Sequence, residues 1–513
     1  MTNWMEGYST TEPYTKTYFR ELNPNYAAFS LLCAGIQPPK IKAACELGFG
    51  FGMSINHHAS TQKINWYGND YNPTQKNFAQ YISTLCNSGA VLTEKSFAQL
   101  SGNCDWPKFD YIALHGIWSW ISEENQAYIT DFIAEHLSDD GVVYISYNVS
   151  PGALAFSPVR DLMKQHFDYG TAKGDSLKKR VNETLNFLDG FQKTAVKYMA
   201  NNPLVQKRIN DLKDHTPVYL LHEYLNEDWN TENFLTMSEK LADIKLEFCC
   251  SANFLSTVGS LNFTSEQNEF LNSIPNKATK EYLTDLYWVE SFRKDYWVKG
   301  PRRLSKQSQW EQIKNFEVIQ LKPREDISKE ISGRVHIGRI DNDVYRGVMK
   351  LIEDSTTISI NDIAAIITSS NPQGSAIEST RVLLALGYIG IVTNDNFVES
   401  RSTALCINDI MCRESVKYEN AVTYLCSPKS GDALPLSRST LIYLHARQSG
   451  HDSFEEACLA VVRKCAENNE VFQHEGKVFK TESDAHEFIM SEVGKIIDNY
   501  GSILAKHGIV LGR

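Results

Sequence analysis

Between residues 41 and 150, short apolar runs alternate with stretches of helical periodicity, and no other feature of the chain narrows its fold as far. Runs at 41–47, 64–70, 90–94, 109–115 and 142–148 read as strands, with helices over 53–60, 74–88 and 123–137. Strands joined through helices run parallel and are buried on both faces. The expected class is therefore α/β, with ligands received in a crevice at the carboxyl ends of the strands.

The first strand ends in ACELGFGFGMSINHHA, residues 44–59, which puts Gly48, Gly50 and Gly52 at alternate positions. Glycines at a strand-to-helix turn let a ligand approach the main chain. The spacing is ExGxGxG, not the GxGxxG of dinucleotide sites, and no P-loop lysine follows. Asp70 ends the second strand, 22 residues beyond Gly48. A carboxylate there takes both hydroxyls of a ribose. A nucleoside without a pyrophosphate fits, and S-adenosylmethionine is the candidate. Glu46 would attract its cationic end, and the helix N-terminus after Gly52 would favour its carboxylate. The bland alternative is a tight turn without a ligand.

Further strand ends should face the same crevice. Ser96 and Phe97 follow the third strand, where an adenine edge would be read. His115, Trp118 and Trp120 follow the fourth, and Tyr147 and Asn148 end the fifth. Only one of the two tryptophans can face the site, and Trp118 is the expected one. His115 reads equally as a ligand contact or a packed, hydrogen-bonded residue. His57 and His58 are expected on a helix surface, not around a metal, and no metal site is expected elsewhere.

A chain of 513 residues exceeds one core. The net charge of −11 repels a polyanion, so nucleic acid is not an expected partner. The longest apolar stretch, 26–36, is interrupted by Ser30 and too short to cross a bilayer, so no membrane insertion is expected. Eleven cysteines without a CxxC, and a polar, aromatic start, point to free thiols in the cytoplasm. The expected divisions are a core over 1–151, a helical insertion over 152–215, a third region over 216–322 whose strand at 245–251 completes the core sheet, a winged-helix-like domain over 323–400, and a C-terminal α+β domain over 401–513. Within these, Ser157–Pro158 reads as a helix start, and further helices are expected over 176–201 and 231–243. The winged-helix-like stretch is acidic on balance, which favours a structural or protein-contacting role. Arg293, Lys294, Lys299, Arg302, Arg303 and Lys306 read as an interdomain salt-bridge face, with attraction of an acidic protein as the alternative.

Several long motifs resemble one family. They are YTKTYFRELNP (14–24), AGIQPP (34–39), GNDYNP (68–73), SFAQL (96–100), IALHGIWSWIS (112–122), SYNVSPG (146–152), YLLHEYLNEDW (219–229), LADIKLEFCCSAN (241–253) and SFRKDYWVKGPRRL (291–304). Together they resemble bacterial class I methyltransferases with a methyltransferase regulatory domain, a family that includes protein lysine methyltransferases acting on outer-membrane proteins. The resemblance implies a Rossmann-like class I methyltransferase sheet, a regulatory domain over 216–322, and S-adenosylmethionine at Glu46, Gly48, Gly50, Gly52 and Asp70. It also implies that Tyr14 and Tyr18 fold over the cofactor. The implied partner is a protein substrate, with outer-membrane or surface proteins as candidates, and a homodimer stays open.

For such a reaction the acceptor must reach the methyl group as a free amine. At pH 7 only about one lysine in 2,500 is neutral, a cost of about 4–5 kcal/mol. A desolvated aromatic channel lowers that cost. Tyr14, Tyr18, Trp118 and Tyr147 are expected to form it, with Asn148 orienting the amine and His115 relaying the proton. Two other readings stand beside lysine methylation: a small-molecule methyltransferase with gating domains, and a regulator that binds S-adenosylmethionine without catalysis.

Overall fold

Seven strands form one sheet: β1 (Ala43–Leu47), β2 (Asn65–Asn69), β3 (Val91–Thr93), β4 (Phe109–Leu114), β5 (Leu137–Asn148), β6 (Leu246–Ser251) and β7 (Phe292–Lys299). The computed structural model describes residues 14–102, 105–370, 374–393, 397–417, 422–470, 473–474, 477–479 and 481–510. The strand order is β3-β2-β1-β4-β5-β7-β6. β1 to β5 are parallel, and β7 lies antiparallel between β5 and β6. The order reverses between β1 and β4, and the crevice of an open sheet lies at such a switch point. The expected strands match these to within about two residues, the ordinary uncertainty of an element end, except that β5 begins earlier. Leu137 pairs with Phe109 across an irregularity, which extends β5 backwards.

Helix α1 (Pro24–Cys33) precedes the sheet, and α2 (Met53–Thr61), α3 (Pro73–Cys86), α4 (Phe97–Gly102) and α5 (Glu123–His136) lie between its strands. Their starts follow from side-chain caps. Asn72 accepts from the Thr74 nitrogen at 2.9 Å with Pro73 in the first turn, and Ser122 accepts from the Asn125 nitrogen at 3.2 Å. Alternate residues of each strand enter opposite layers. Cys45, Ile112, Val143 and Ile145 pack with Phe132 and Ile133 of α5. Ala44, Tyr111, Ala113 and Tyr144 pack with Ile55 of α2 and Leu31 of α1.

After β5 come α6 (Gly152–Gln165), α7 (Leu177–Thr194), α8 (Val196–Asn201), α9 (Pro203–Asp211), α10 (Pro217–Tyr224) and α11 (Phe234–Ala242). Phe156, Met163, Val181, Leu188 and Ile209 make a separate small core that also takes Leu220 and Tyr224 of α10. The helix expected to start at Ser157–Pro158 starts instead at Gly152. There the chain passes beneath the 289–290 backbone, where a Cβ would stand 2.4 Å from the Val289 carbonyl oxygen. Pro158 lies inside the helix. The carbonyl it leaves unpaired belongs to Leu154, a solvent-exposed residue, so water can take the bond.

Beyond the sheet, β8 (Glu317–Gln320) pairs antiparallel with Ile358–Ser359 and Ile389–Ile391. The central strand of this small sheet therefore precedes the boundary expected at 323. The helix Phe397–Lys417 lies across α2 and α3, and Ile407, Ile410 and Met411 pack on Phe51, Met53 and Ile82. This contact corrects the expectation for His57 and His58. Both are wholly buried, because this helix and Tyr424 cover the outer face of α2. Burial pushes His57 down to about 3 and His58 down as well.

Arg293, Lys294, Lys299, Arg302 and Arg303 of the basic run are ion-paired. Arg293 reaches Glu281, Asp285 and Asp295 at 2.7–2.9 Å, Lys294 reaches Glu21 at 2.6 Å, and Arg302 and Arg303 reach Asp140 and Glu247 at 3.0 and 2.7 Å. The described cysteines are free thiols. No helix among the described residues is long and apolar enough to cross a membrane.

Candidate functional site

A cavity of about 430 Å³ opens where β1 and β4 diverge, a volume in the range of small-molecule sites. The glycine turn forms one wall. Gly48, Gly50 and Gly52 all have left-handed backbone, with φ of 71°, 58° and 68°, but for different reasons. A Cβ on Gly48 would stand 2.2 Å from Ile117 Cδ1, so this turn is closed by packing against the loop that follows β4. A Cβ on Gly52 would stand 2.4 Å from Ala79 Cβ, which lets α2 and α3 touch. A Cβ on Gly50 meets nothing within 4 Å and would project into open space. Gly48 and Gly50 line the cavity; Gly52, expected as a cofactor contact, does not.

Two carboxylates stand at the strand ends. Asp70 accepts from the Gly50 nitrogen at 2.7 Å and the Asn72 nitrogen at 2.9 Å. Burial pushes it up to about 7, against the pull of these two amides. Glu46 lies at the end of β1 with its Oε2 buried and unpartnered. Burial, reinforced by the Asp70 charge, pushes it up to about 8. An unpaired buried oxygen beside a cavity is costly unless a ligand donor meets it.

The remaining walls come from distant segments. Tyr14, Thr15, Thr17 and Phe19 cover the cavity from the N-terminal side, and Lys95, Ser96 and Phe97 lie beyond β3. His115 packs against Phe19, ring centroids 4.0 Å apart, and its Nδ1 meets the Tyr144 hydroxyl at 2.8 Å. Burial pushes His115 down to about 3. The neutral ring is thus favoured near pH 7, and its Nδ1 is engaged by Tyr144. Asn148 reaches the cavity from the end of β5. Its backbone nitrogen donates to Ser119 Oγ at 2.8 Å, while its side-chain Nδ2 is buried without a partner.

Three further expected residues lie elsewhere. Tyr147 precedes Asn148 on a strand, so its side chain takes the opposite face. It donates to Asp295 Oδ2 at 2.8 Å within the buried arginine network. Trp118 is packed in the core of the sheet, and Trp120 takes the cavity wall in its place. Tyr18 points away from the cavity, toward His58 and Asp432.

One part of the cavity lining was not foreseen. Tyr219, His222 and Glu223 of α10 join Trp120, Trp229 and Phe292 there. Glu223 accepts from the Tyr14 hydroxyl at 2.7 Å, and its backbone oxygen accepts from Trp120 Nε1 at 3.1 Å. Positions 219, 222 and 223 follow i, i+3, i+4, one face of a helix, which is the signal in the sequence that marks them together.

Residues 216–299 match a family model described as a predicted methyltransferase regulatory domain. An uncharacterized protein of Synechocystis is 26% identical over 517 residues, 99% of each chain. An uncharacterized protein of Rickettsia prowazekii is 28% identical over 219 residues, covering 42% of this chain and 86% of its own. Among solved structures, PKMT2 from Rickettsia typhi in complex with AdoHcy superposes with a TM-score of 0.70 at 17% identity, covering 98% of this chain and 100% of that one. The chain thus has a class I methyltransferase fold, and α10, α11, β6 and β7 lie within the stretch matched to the regulatory domain.

Proposed function

We propose that this class I methyltransferase fold works as an S-adenosylmethionine-dependent enzyme that methylates lysine side chains of a protein. The observation that carries the reading is one continuous cavity joining Glu46, Gly50 and Asp70 to Asn148 and the aromatic chamber around Glu223. Among the residues lining it, Glu46 Oε2, Asn72 Nδ2 and Asn148 Nδ2 are buried without partners. The likeness to a structure holding AdoHcy supports the same reading.

The residues fit the cofactor. Gly50 leaves space beside the main chain, Asp70 would take the ribose hydroxyls, and Glu46 would face the cationic methionine end. When bound, S-adenosylmethionine supplies a methyl group on a sulfonium for in-line displacement by a nitrogen lone pair. The chain's own task is to position and desolvate the acceptor. Trp120, Tyr219, Trp229 and Phe292 form the aromatic channel, in place of the Tyr18, Trp118 and Tyr147 expected from sequence. Asn148 hydrogen-bonds the incoming nitrogen. Glu223 attracts the side-chain ammonium before it loses its proton, and the apolar walls favour the neutral amine that reacts. An outer-membrane or surface protein is the proposed acceptor class. Incubating the chain with radiolabelled S-adenosylmethionine and cell or envelope lysate tests this. Label on protein lysines supports the reading, and label confined to small molecules overturns the protein acceptor.

A further inference from the structure

Residues 14–19 lead into a short 3-10 helix, Arg20–Leu22, and from Thr15 onward their side chains alternate between two surroundings. Thr15, Thr17 and Phe19 face the cavity. Lys16, Tyr18 and Arg20 face the C-terminal part of the chain. Lys16 pairs with Glu414 at 3.5 Å, its ammonium lies 4.3 Å from the Phe78 ring centroid, and its carbonyl accepts from the Tyr424 hydroxyl at 3.2 Å. The Tyr18 hydroxyl lies 3.3 Å from Asp432 Oδ1 and 3.2 Å from His58 Nε2, with its ring stacked on His57 at 5.2 Å. Donation from His58 Nε2 to the Tyr18 oxygen, and from Tyr18 to Asp432, satisfies both contacts. Asp432 also accepts from Tyr26 at 3.0 Å, and Arg20 donates to the Leu384 carbonyl at 2.7 Å.

We infer that Lys16 and Tyr18 are positioning residues, through which Glu414, Tyr424 and Asp432 of the C-terminal region hold the segment 14–19 over the cofactor. The inference rests on the proposed cofactor site and assigns a task to residues far from it in sequence. An extended segment has no hydrogen-bond ladder of its own. The contacts on the anchored side therefore also hold the residues that face the cavity. Phe19 makes the cavity-side contacts: its backbone nitrogen donates to Ser54 Oγ at 3.0 Å, and its ring covers His115. Tyr18 sits next to it and makes the C-terminal contact.

The test uses the full chain and calorimetric titration with S-adenosylhomocysteine. Tyr18→Phe keeps the ring on His57 and removes the hydroxyl. Its affinity should fall about five- to tenfold, the value of one lost hydrogen bond. Tyr18→Phe combined with Asp432→Asn should lose less than the product of the two single effects, as contacting residues do. Lys16→Gln, at the rim of the contact, provides a milder variant should the buried changes impair folding, and Lys16→Arg should restore affinity. Amide exchange at 15–19 should slow on ligand addition in the wild type and slow less in Tyr18→Phe, whereas a merely structural change would leave affinity in the folded fraction intact. Folded variants that bind as tightly as the wild type overturn this inference alone. A wild type that gives no binding overturns it together with the cofactor reading.

Discussion

The backbone nitrogen of Gly50 donates to Asp70 Oδ2 at 2.7 Å, so the acid at the end of β2 also braces the turn at the end of β1. The two strands are neighbours with Leu47 opposite Asn69, which brings their ends together. Replacing Asp70 by Asn keeps its shape but removes the charge and sets an amide where an acceptor is needed. The affinity for S-adenosylhomocysteine should fall on the order of 10- to 100-fold, about 1.5–3 kcal/mol for a charged hydrogen-bond set. Calorimetry on the variant checks this, and unchanged affinity would contradict the assignment.

Gly50 and Gly52 should fail in different ways. Gly52→Ala drives a methyl group to 2.4 Å from Ala79 Cβ, so stability should drop by about 1–3 kcal/mol. Gly50→Ala meets no protein atom but intrudes on the cavity, so affinity should fall with a smaller stability cost, about 1 kcal/mol for the left-handed backbone. Denaturant unfolding and titration of both variants separate the two effects.

That contrast also shows what a linear sequence conveys. The sheet was legible because buried parallel strands are plain apolar runs, and the position of Asp70 relative to Gly48 follows from that order. The purpose of each glycine was not, because Ala79 and Ile117 meet the turn only in the folded chain. Which of Trp118 and Trp120, or Tyr147 and Asn148, faces the cavity depends on local phase, and one residue's shift reverses the answer. The burial of His57 and His58 depends on a helix more than 300 residues away. No local pattern carries that.

The two strand-end acids set a pH dependence. Burial raises Glu46 to about 8 and Asp70 to about 7, above their unfolded values. Their contribution to stability is fully present below the unfolded pKa range near 4 and is lost as pH rises through 7 and 8. In the ligand-free protein these two acids should therefore withdraw stability between pH 5.5 and 8.5, opposed below about 6.5 by the buried His57, His58 and His115, whose lowered values favour folding as the pH rises. Glu46→Gln should lose less, and saturating S-adenosylhomocysteine should reduce the loss by stabilising the ionised forms. Urea midpoints at the two pH values check this. A wild-type slope matching that of Glu46→Gln would remove Glu46 from the account.

In the proposed function Glu223 and Asn148 serve the acceptor end. Glu223→Gln and Asn148→Ala should leave the cofactor Kd within about twofold of wild type while kcat/KM for the acceptor falls tenfold or more, about 1.4 kcal/mol or above. Glu223→Gln should act mainly on acceptor KM, and Asn148→Ala mainly on turnover. Equal losses in cofactor affinity and turnover would refute the separation into two ends.

The central claim is that the cleft between Glu46, Gly50 and Asp70 holds an S-adenosyl nucleoside. Titration of the full chain with S-adenosylhomocysteine at pH 7.5, run in two buffers of different ionisation heat, tests it most directly. The account predicts saturable binding of one ligand per chain with proton release, since the ligand favours ionised Glu46 and Asp70. No heat of binding in either buffer, or binding that survives Asp70→Asn undiminished, would contradict it.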